Sequence, residues 1–205
     1  MANKKHESFF WYIGKVLSLI YPYKIKNKIA KMKSKFYTGW ISGQFRKVGK
    51  RTFIEGSLSL TGGKYIILGN NVHIGARGIL TAFDKYKSQR FTPSITIGND
   101  VCIGEDSHIT AINKIEIADH VLFGKKVTIT DNAHGENIIN MLSIPPINRP
   151  LHTSGAVIIE KNVWVGDKVT ILPNVHIGID AILGSSAVVT RDIPANSIAG
   201  GIPAK

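Results

Sequence analysis

Between Val157 and Val189 two aliphatic slots recur every six residues: Val157/Ile159, Val163/Val165, Val169/Ile171, Val175/Ile177, Ala181/Leu183 and Ala187/Val189. Gly166, Gly178 and Gly184 each follow the second slot. A period of six excludes an α-helix, because two apolar residues in six do not align into one stripe at about 3.6 residues per turn. Three residues with the middle one pointing outward make a short strand, and the other three make a corner. Short strands joined by corners at a fixed period predict a parallel β-helix, an all-β solenoid. Each rung buries its aliphatic pair only by stacking on the next, about 4.8 Å away.

The period extends upstream through Thr52/Ile54, Leu58/Leu60, Ile66/Leu68, Val72/Ile74 and Gly78/Leu80. It resumes at Ile95/Ile97, Val101/Ile103 and Ser107/Ile109, then at Ile115/Ile117, Val121/Phe123 and Val127/Ile129. At three rungs per turn this predicts about five or six coils. Two stretches break it. Residues 81–94 are polar and charged and read as a loop thrown out between corners. Residues 131–156 carry Pro145, Pro146 and Pro150, which argue against a helix or an interior strand. The register resumes without loss at Val157, so this second loop is an addition to the coil and a functional device in prospect.

The predicted organisation is a segment 1–51 followed by a repeat domain 52–205. The formal net charge is +12. Up to residue 51 there are 13 Lys and Arg against one acid, Glu7, and the rest of the chain carries 13 of each sign. The excess therefore sits in a basic head on a neutral body. Phe9, Phe10, Ile13, Val16, Leu17 and Ile20 predict a short apolar helix up to Pro22. Ile25, Ile29, Met32 and Phe36 mark one face of a second helix whose other positions are rich in lysine. Two readings fit, a cap over the open end of the coil and a helix lying on an anionic membrane surface, and they are compatible. The neutral repeat region offers no basic stripe for nucleic acid. No apolar run reaches the about 18–20 residues of a membrane span, and no signal-peptide cleavage site follows the first apolar run. The expected place is the cytoplasm, with peripheral contact at the inner face of the membrane as the alternative. The single cysteine, Cys102, excludes an internal disulfide.

The repeat resembles the hexapeptide-repeat family of left-handed parallel β-helices, many of them acyltransferases. The closing stretch, Thr190-Arg-Asp-Ile-Pro-Ala-Asn-Ser-Ile-Ala-Gly-Gly-Ile-Pro-Ala-Lys205, is similar to the end of its O-acetyltransferase branch, which includes galactoside and maltose enzymes and those of capsule and lipopolysaccharide. Handedness comes from the resemblance alone, since periodicity does not encode it and parallel crossovers are ordinarily right-handed. The resemblance implies acetyl-CoA as co-substrate, a sugar acceptor (a bacterial surface-polysaccharide unit or precursor), and a homotrimer with sites between subunits.

Transfer of an acetyl group to a hydroxyl needs a general base, and histidine suits it because its ordinary pKa lies near working pH. At the start of the second loop the chain reads Thr130-Asp-Asn-Ala-His-Gly135. The resemblance implies that His134 is the base. Asp131 either orients the imidazole or makes a turn bond to its own backbone. Relatives show Asp-His-Asn-His-Gly at this place, so Asn132 replaces a histidine. Asn132, Glu105 and His108 are the candidates for acceptor binding. His73, His120 and His176 read as corner residues, and His152 as the reserve base. For the donor, the resemblance implies Trp164, Gly166, Asp167, Ser185, Thr190, Arg191 and Lys205, with Arg191 and Lys205 as partners of the phosphates. The carboxylate of Asp167 departs from the small residue found there in relatives.

No metal is expected. A carbonic-anhydrase-like reading needs two histidines five apart, and none of the seven here makes such a pair. Cys102 has no histidine beside it in sequence, which argues against an acyl-cysteine intermediate. Acetyl transfer to serine or an antibiotic, and a non-catalytic solenoid for assembly or membrane docking, are the remaining alternatives.

Overall fold

The computed structural model describes residues 8–136 and 138–205; His6 and Glu7 of the basic head lie outside them. Three parallel sheets form the faces of a prism. Sheet A stacks Lys47–Val48, Ile66–Leu68, Ser94–Ile97, Lys114–Ile117, Val157–Ile159 and His176–Ile177. Sheet B runs from Phe53–Ile54 through Trp164–Val165 to Ile198–Ala199, and sheet C from Ser59–Thr61 through Thr128–Thr130 to Val188–Val189. The chain visits A, B and C in turn, through six coils and into a seventh. Every aliphatic slot from Val157 to Val189 is at most 1% exposed. Most of them are Val or Ile, whose β-branched side chains suit a pleated surface buried on its inner side. The coil starts at Lys47, five residues ahead of the first slot pair legible in the sequence.

Corners carry their own chemistry. The residue before the first aliphatic slot has a left-handed backbone at Asn162, Lys168, Asn174, Asp180 and Ser186, with φ of 59–63°. Asn and Asp tolerate that region better than most residues. Gly166 and Gly178 serve differently: a Cβ on Gly166 would lie 2.7 Å from Ser185 N, and one on Gly178 2.5 Å from Ala195 N. They admit the backbone of the next coil. Corner N–H groups outside the ladders take acceptors from the following coil. Asn70 N donates to Asn99 Oδ1 (2.9 Å), and Asn99 N to Asp119 Oδ1 (2.7 Å).

Both interruptions leave at the edge between sheets C and A, two coils apart. The intervening coil turns that edge tightly through Ile112 and Asn113. Residues 81–94 contain a small antiparallel hairpin, Lys85–Tyr86 with Gln89–Arg90. Residues 131–156 hold an antiparallel pair, Ala133–His134 with Leu151–His152, a short helix Ile139–Leu142, and a 3-10 turn Pro146–Asn148. The expectation that this loop excludes helix is thus corrected. The short helix ends before Pro145, and Pro146 opens the 3-10 turn, where its missing N–H is not needed.

The head forms two helices, α1 (Phe9–Ile20) and α2 (Tyr23–Ser42). The last turns of α2 cap the first coil. Ile41 and Phe45 enter the core, Thr38 Oγ1 accepts the Ile54 N–H at 2.9 Å, and Tyr37 Oη accepts that of Leu58 at 3.1 Å. Of the apolar face marked in the sequence, Ile29 is half-buried while Ile25, Met32 and Phe36 are exposed, Phe36 at 79%. The face that docks is set by the side-chain bonds of Tyr37 and Thr38 to the coil's own backbone.

Candidate active site

His134 is exposed on the outgoing strand of the second excursion, opposite Leu151. Gly135 turns the chain with φ +82°, and a Cβ there would meet the Arg149 side chain at 2.9 Å. The first excursion reaches the same place. The Tyr86 ring stands edge-on to the His134 ring, with centroids 5.6 Å apart, and Tyr86 Oη donates to Ile147 O at 3.1 Å. Gln89 joins the two excursions more firmly: its amide oxygen accepts the Leu151 N–H at 2.7 Å and its amide nitrogen donates to Leu151 O at 3.0 Å. His152 Nδ1 lies 3.1 Å from Glu136 Oε1. Tyr86 and Gln89 escaped sequence reasoning. Counting rungs would have flagged them, because both loops follow a sheet C strand and so must share an edge.

Asp131 is 0% exposed. Its Oδ1 accepts the Ile112 N–H at 2.9 Å and the Asn132 amide at 3.0 Å, and its Oδ2 accepts the Asn113 N–H at 2.8 Å. These bonds clamp the tight corner of the preceding coil. Neither alternative raised from the sequence describes this contact set, which includes no bond to the His134 ring or to the backbone of Asp131's own turn. The pattern recurs: Asp192 Oδ1 accepts the His176 N–H and Asp167 Oδ1 the Lys125 N–H, each at 2.7 Å. The Asp167 carboxylate is thereby turned back onto the coil.

Most of the expected donor and acceptor residues divide between two edges of the prism, and His108 and Trp164 lie on sheet strands. Thr190 and Arg191 lie on the C–A edge, where an open groove of about 530 Å³ is lined by Ala156, Ile158, Asn174, His176 and Asp192 besides those two. Ala156 is where the second excursion re-enters the coil, so His134 and this groove lie along one edge. The groove carries one cation, Arg191, beside the Asp192 carboxylate and hydroxyl and amide groups. Asp192 Oδ1 is engaged by the His176 N–H, and the Arg191 guanidinium is the group that could bond a phosphate of a CoA-type molecule. Gly166, Asp167 and Ser185 instead stack on the B–C edge, as does Glu105. Glu105 pairs with Arg77 (2.8 Å) and Lys125 (3.2 Å), and these cations, Arg77 first, hold its carboxyl below the usual range. His108 stands on sheet C at the end away from His134, and burial lowers its pKa. Trp164 projects from sheet B, 51% exposed. Lys205 is exposed where the C-terminal residues close the last coil through Ala204 N to Val188 O.

Elsewhere the coil assembles what sequence spacing hides. His73 Nδ1 lies 3.7 Å from Cys102 Sγ, one coil away, and His73 Nε2 lies 3.2 Å from Glu55 Oε1. The cysteine contact raises the His73 pKa most. Among the described residues, no three His, Cys, Asp or Glu side chains gather as a metal site.

No family model matches the chain. It is 36% identical over 115 residues to WbbJ, a candidate lipopolysaccharide biosynthesis O-acetyl transferase of Escherichia coli (strain K12), across 54% of this chain and 58% of that one. It is 31% identical over 164 residues to the galactoside O-acetyltransferase of Lactococcus lactis subsp. lactis (strain IL1403), across 78% of this chain and 60% of that one. The chain thus spans about 60% of the length of these curated relatives. Among solved structures, AntD, an N-acyltransferase from Bacillus cereus in complex with dTDP and 3-hydroxybutyryl-CoA, matches with a TM-score of 0.69 at 26% identity, covering 84% of this chain and 86% of that one. The chain is a parallel β-helix of hexapeptide repeats, and the relatives and solved structures it is similar to are acyltransferases of the left-handed parallel β-helix kind.

Proposed function

We propose that this chain is an O-acetyltransferase that moves an acetyl group from acetyl-CoA to a sugar hydroxyl, on a unit or precursor of a surface polysaccharide. The observation that carries it is the placement of His134: exposed where a rung gives way to an excursion, flanked by Tyr86, and on the same edge as the groove holding Arg191. Acetyl-CoA supplies an activated acyl carbon. The His134 imidazole takes the proton of the acceptor hydroxyl as its oxygen attacks that carbon, and returns a proton to the departing sulfur. Backbone N–H groups hold the charge that develops on the carbonyl oxygen. Arg191 binds the phosphates, and Asn132 and Tyr86 border the acceptor. The curated names of WbbJ and the galactoside enzyme support the sugar acceptor. Similarity to the dTDP-4-amino-4,6-dideoxy-D-glucose acyltransferase of Escherichia coli adds dTDP-linked amino sugars to the acceptors worth testing.

The reading includes a homotrimer. In one copy the donor residues divide between two edges of the prism, so a second copy is needed to bring a B–C edge to a C–A edge. The outer face of sheet B supports such packing, with Leu122, Trp164, Ile182 and Ile198 in one register. Cyclic closure leaves no growing surface. A cytoplasmic place beside an anionic leaflet completes the reading.

The test is release of CoA thiol against free sugars, nucleotide sugars and lipid-linked oligosaccharides, with His134→Gln as the control. The variant should lose about 10²-fold or more in turnover, with the KM for acetyl-CoA little changed. Turnover close to the parent's would remove His134 as the base, and no turnover on any sugar would overturn the function.

A further inference from the structure

The basic head is larger than a cap requires. The capping contacts all lie in the last turns of α2 and the residues just after it, at Tyr37, Thr38, Ile41 and Phe45. Ahead of them, α1 has no buried residue. Phe9, Phe10, Val16, Leu17 and Ile20 are all more than half exposed. The exposed row continues on α2 through Ile25, Met32, Phe36 and Trp40. Apolar surface on this scale is a binding surface or a liability. It is ringed by cations: Lys24, Lys26, Lys28, Lys31, Lys33 and Lys35 are exposed on α2, and Lys15 Nζ sits 4.8 Å above the Trp11 ring centroid on α1. Neither helix carries an acidic residue.

We infer that this head is a membrane-surface anchor. The apolar row enters the boundary between headgroups and acyl chains of an anionic phospholipid leaflet, and the lysines face its phosphates. The charge decides the occupant. A second copy of the same head would set lysine against lysine, and the end of the coil is already covered. A leaflet rich in anionic lipid satisfies both halves of the surface at once, apolar row and cationic rim. The anchor lies on the membrane, since no helix of the described residues is long and apolar enough to cross one. The division of labour follows from the contacts. The C-terminal turns of α2, fixed to the coil by Thr38 and Tyr37, are the rigid mount. The helix α1, beyond Pro22, is the element that inserts. The inference stands on the head alone and does not require acetyl transfer.

The test is co-sedimentation of the full chain with vesicles of phosphatidylcholine alone or mixed with phosphatidylglycerol. The full chain should pellet with the mixed vesicles at low salt, stay in the supernatant with phosphatidylcholine alone, and leave the mixed vesicles at high salt, where the Debye length falls to about 3 Å at 1 M. Phe10→Glu with Ile13→Glu and Leu17→Glu should abolish pelleting without changing the circular dichroism of the coil, because none of these side chains is buried. Lys24→Gln with Lys26→Gln and Lys28→Gln should weaken partitioning about 100-fold, at about fivefold per lysine near an anionic surface. Failure of the full chain to pellet with mixed vesicles at low salt overturns the inference. So does undiminished pelleting of the triple glutamate variant, or a head that instead drives association of the protein with itself. None of these readouts depends on turnover, so the anchor and the acetyl transfer fail separately.

Discussion

Replacing Asp131 separates a clamp on the fold from a partner of His134, the proposed base. The carboxylate is fully buried and receives the N–H groups of Ile112 and Asn113 at 2.9 and 2.8 Å. Hydrogen bonds to a charged group contribute about 1.5–3 kcal/mol each. Asn113 is exposed, so water replaces most of what its N–H loses. Ile112 is buried, so its N–H is left without a partner. Asp131→Ala should therefore cost about 2–4 kcal/mol, the Ile112 bond in full and a fraction of the other. For a chain of this size that lowers Tm by about 4–16 °C, compared at equal protein concentration because association would shift Tm too. Asp131→Asn keeps the shape but turns an amide donor toward one of the two N–H groups, and should fall between parent and alanine. Melting followed by circular dichroism gives the stability; turnover measured well below every Tm gives the chemistry. Reduced Tm with turnover within a fewfold of the parent is the expected pattern. Asp131→Asn with an unchanged Tm and turnover down by 10² or more would refute it, and would make Asp131 a partner of His134 after all.

The other expectations concern the site and its edges. Gln89→Ala removes both bonds to the Leu151 backbone and should raise the acceptor KM and speed proteolysis within 131–156, while Tm moves by only a few degrees; unchanged proteolysis would show that the excursions hold together without it. Arg191→Ala should raise the KM for acetyl-CoA with kcat nearly constant, because a phosphate contact is made equally in ground and transition states; a fall in kcat alone would contradict the assignment. Burial lowers the folded-state pKa of His108, so the unfolded chain binds the proton more readily and stability declines as pH falls below about 6.5. His108→Asn should shrink the drop in urea midpoint between about pH 7 and pH 5; parallel declines in parent and variant would place that acid sensitivity elsewhere.

How much was legible in the sequence follows from the range of each interaction. A rung is local: six residues contain the strand, the corner and the aliphatic pair that must be buried. The period therefore determined the fold class, the approximate number of coils, the two excursions and the return to register at Val157. The period placed His134 at the end of a rung and the start of an excursion, and the resemblance, not the period, singled it out as the candidate base. What tertiary structure decided depends on adding rungs together or on groups far apart in sequence. Three strands per coil put both excursions on one edge, so Gln89 meets Leu151 and Tyr86 meets His134, pairs about 50–60 residues apart. Stacking sets His73 beside Cys102 though 29 residues separate them, and no spacing rule for adjacent residues detects that. Asp131 bonds backward to a corner of the previous coil, where its own turn leaves no trace. On α2, apolar spacing marked the face of Ile25, Ile29, Met32 and Phe36 without deciding whether it meets the coil or points away; Tyr37 and Thr38 hold the coil's free backbone groups and leave Ile25, Met32 and Phe36 exposed. Periodicity reports which residues need burial or exposure within a rung; only the three-dimensional stack decides which rungs, edges and helix faces meet.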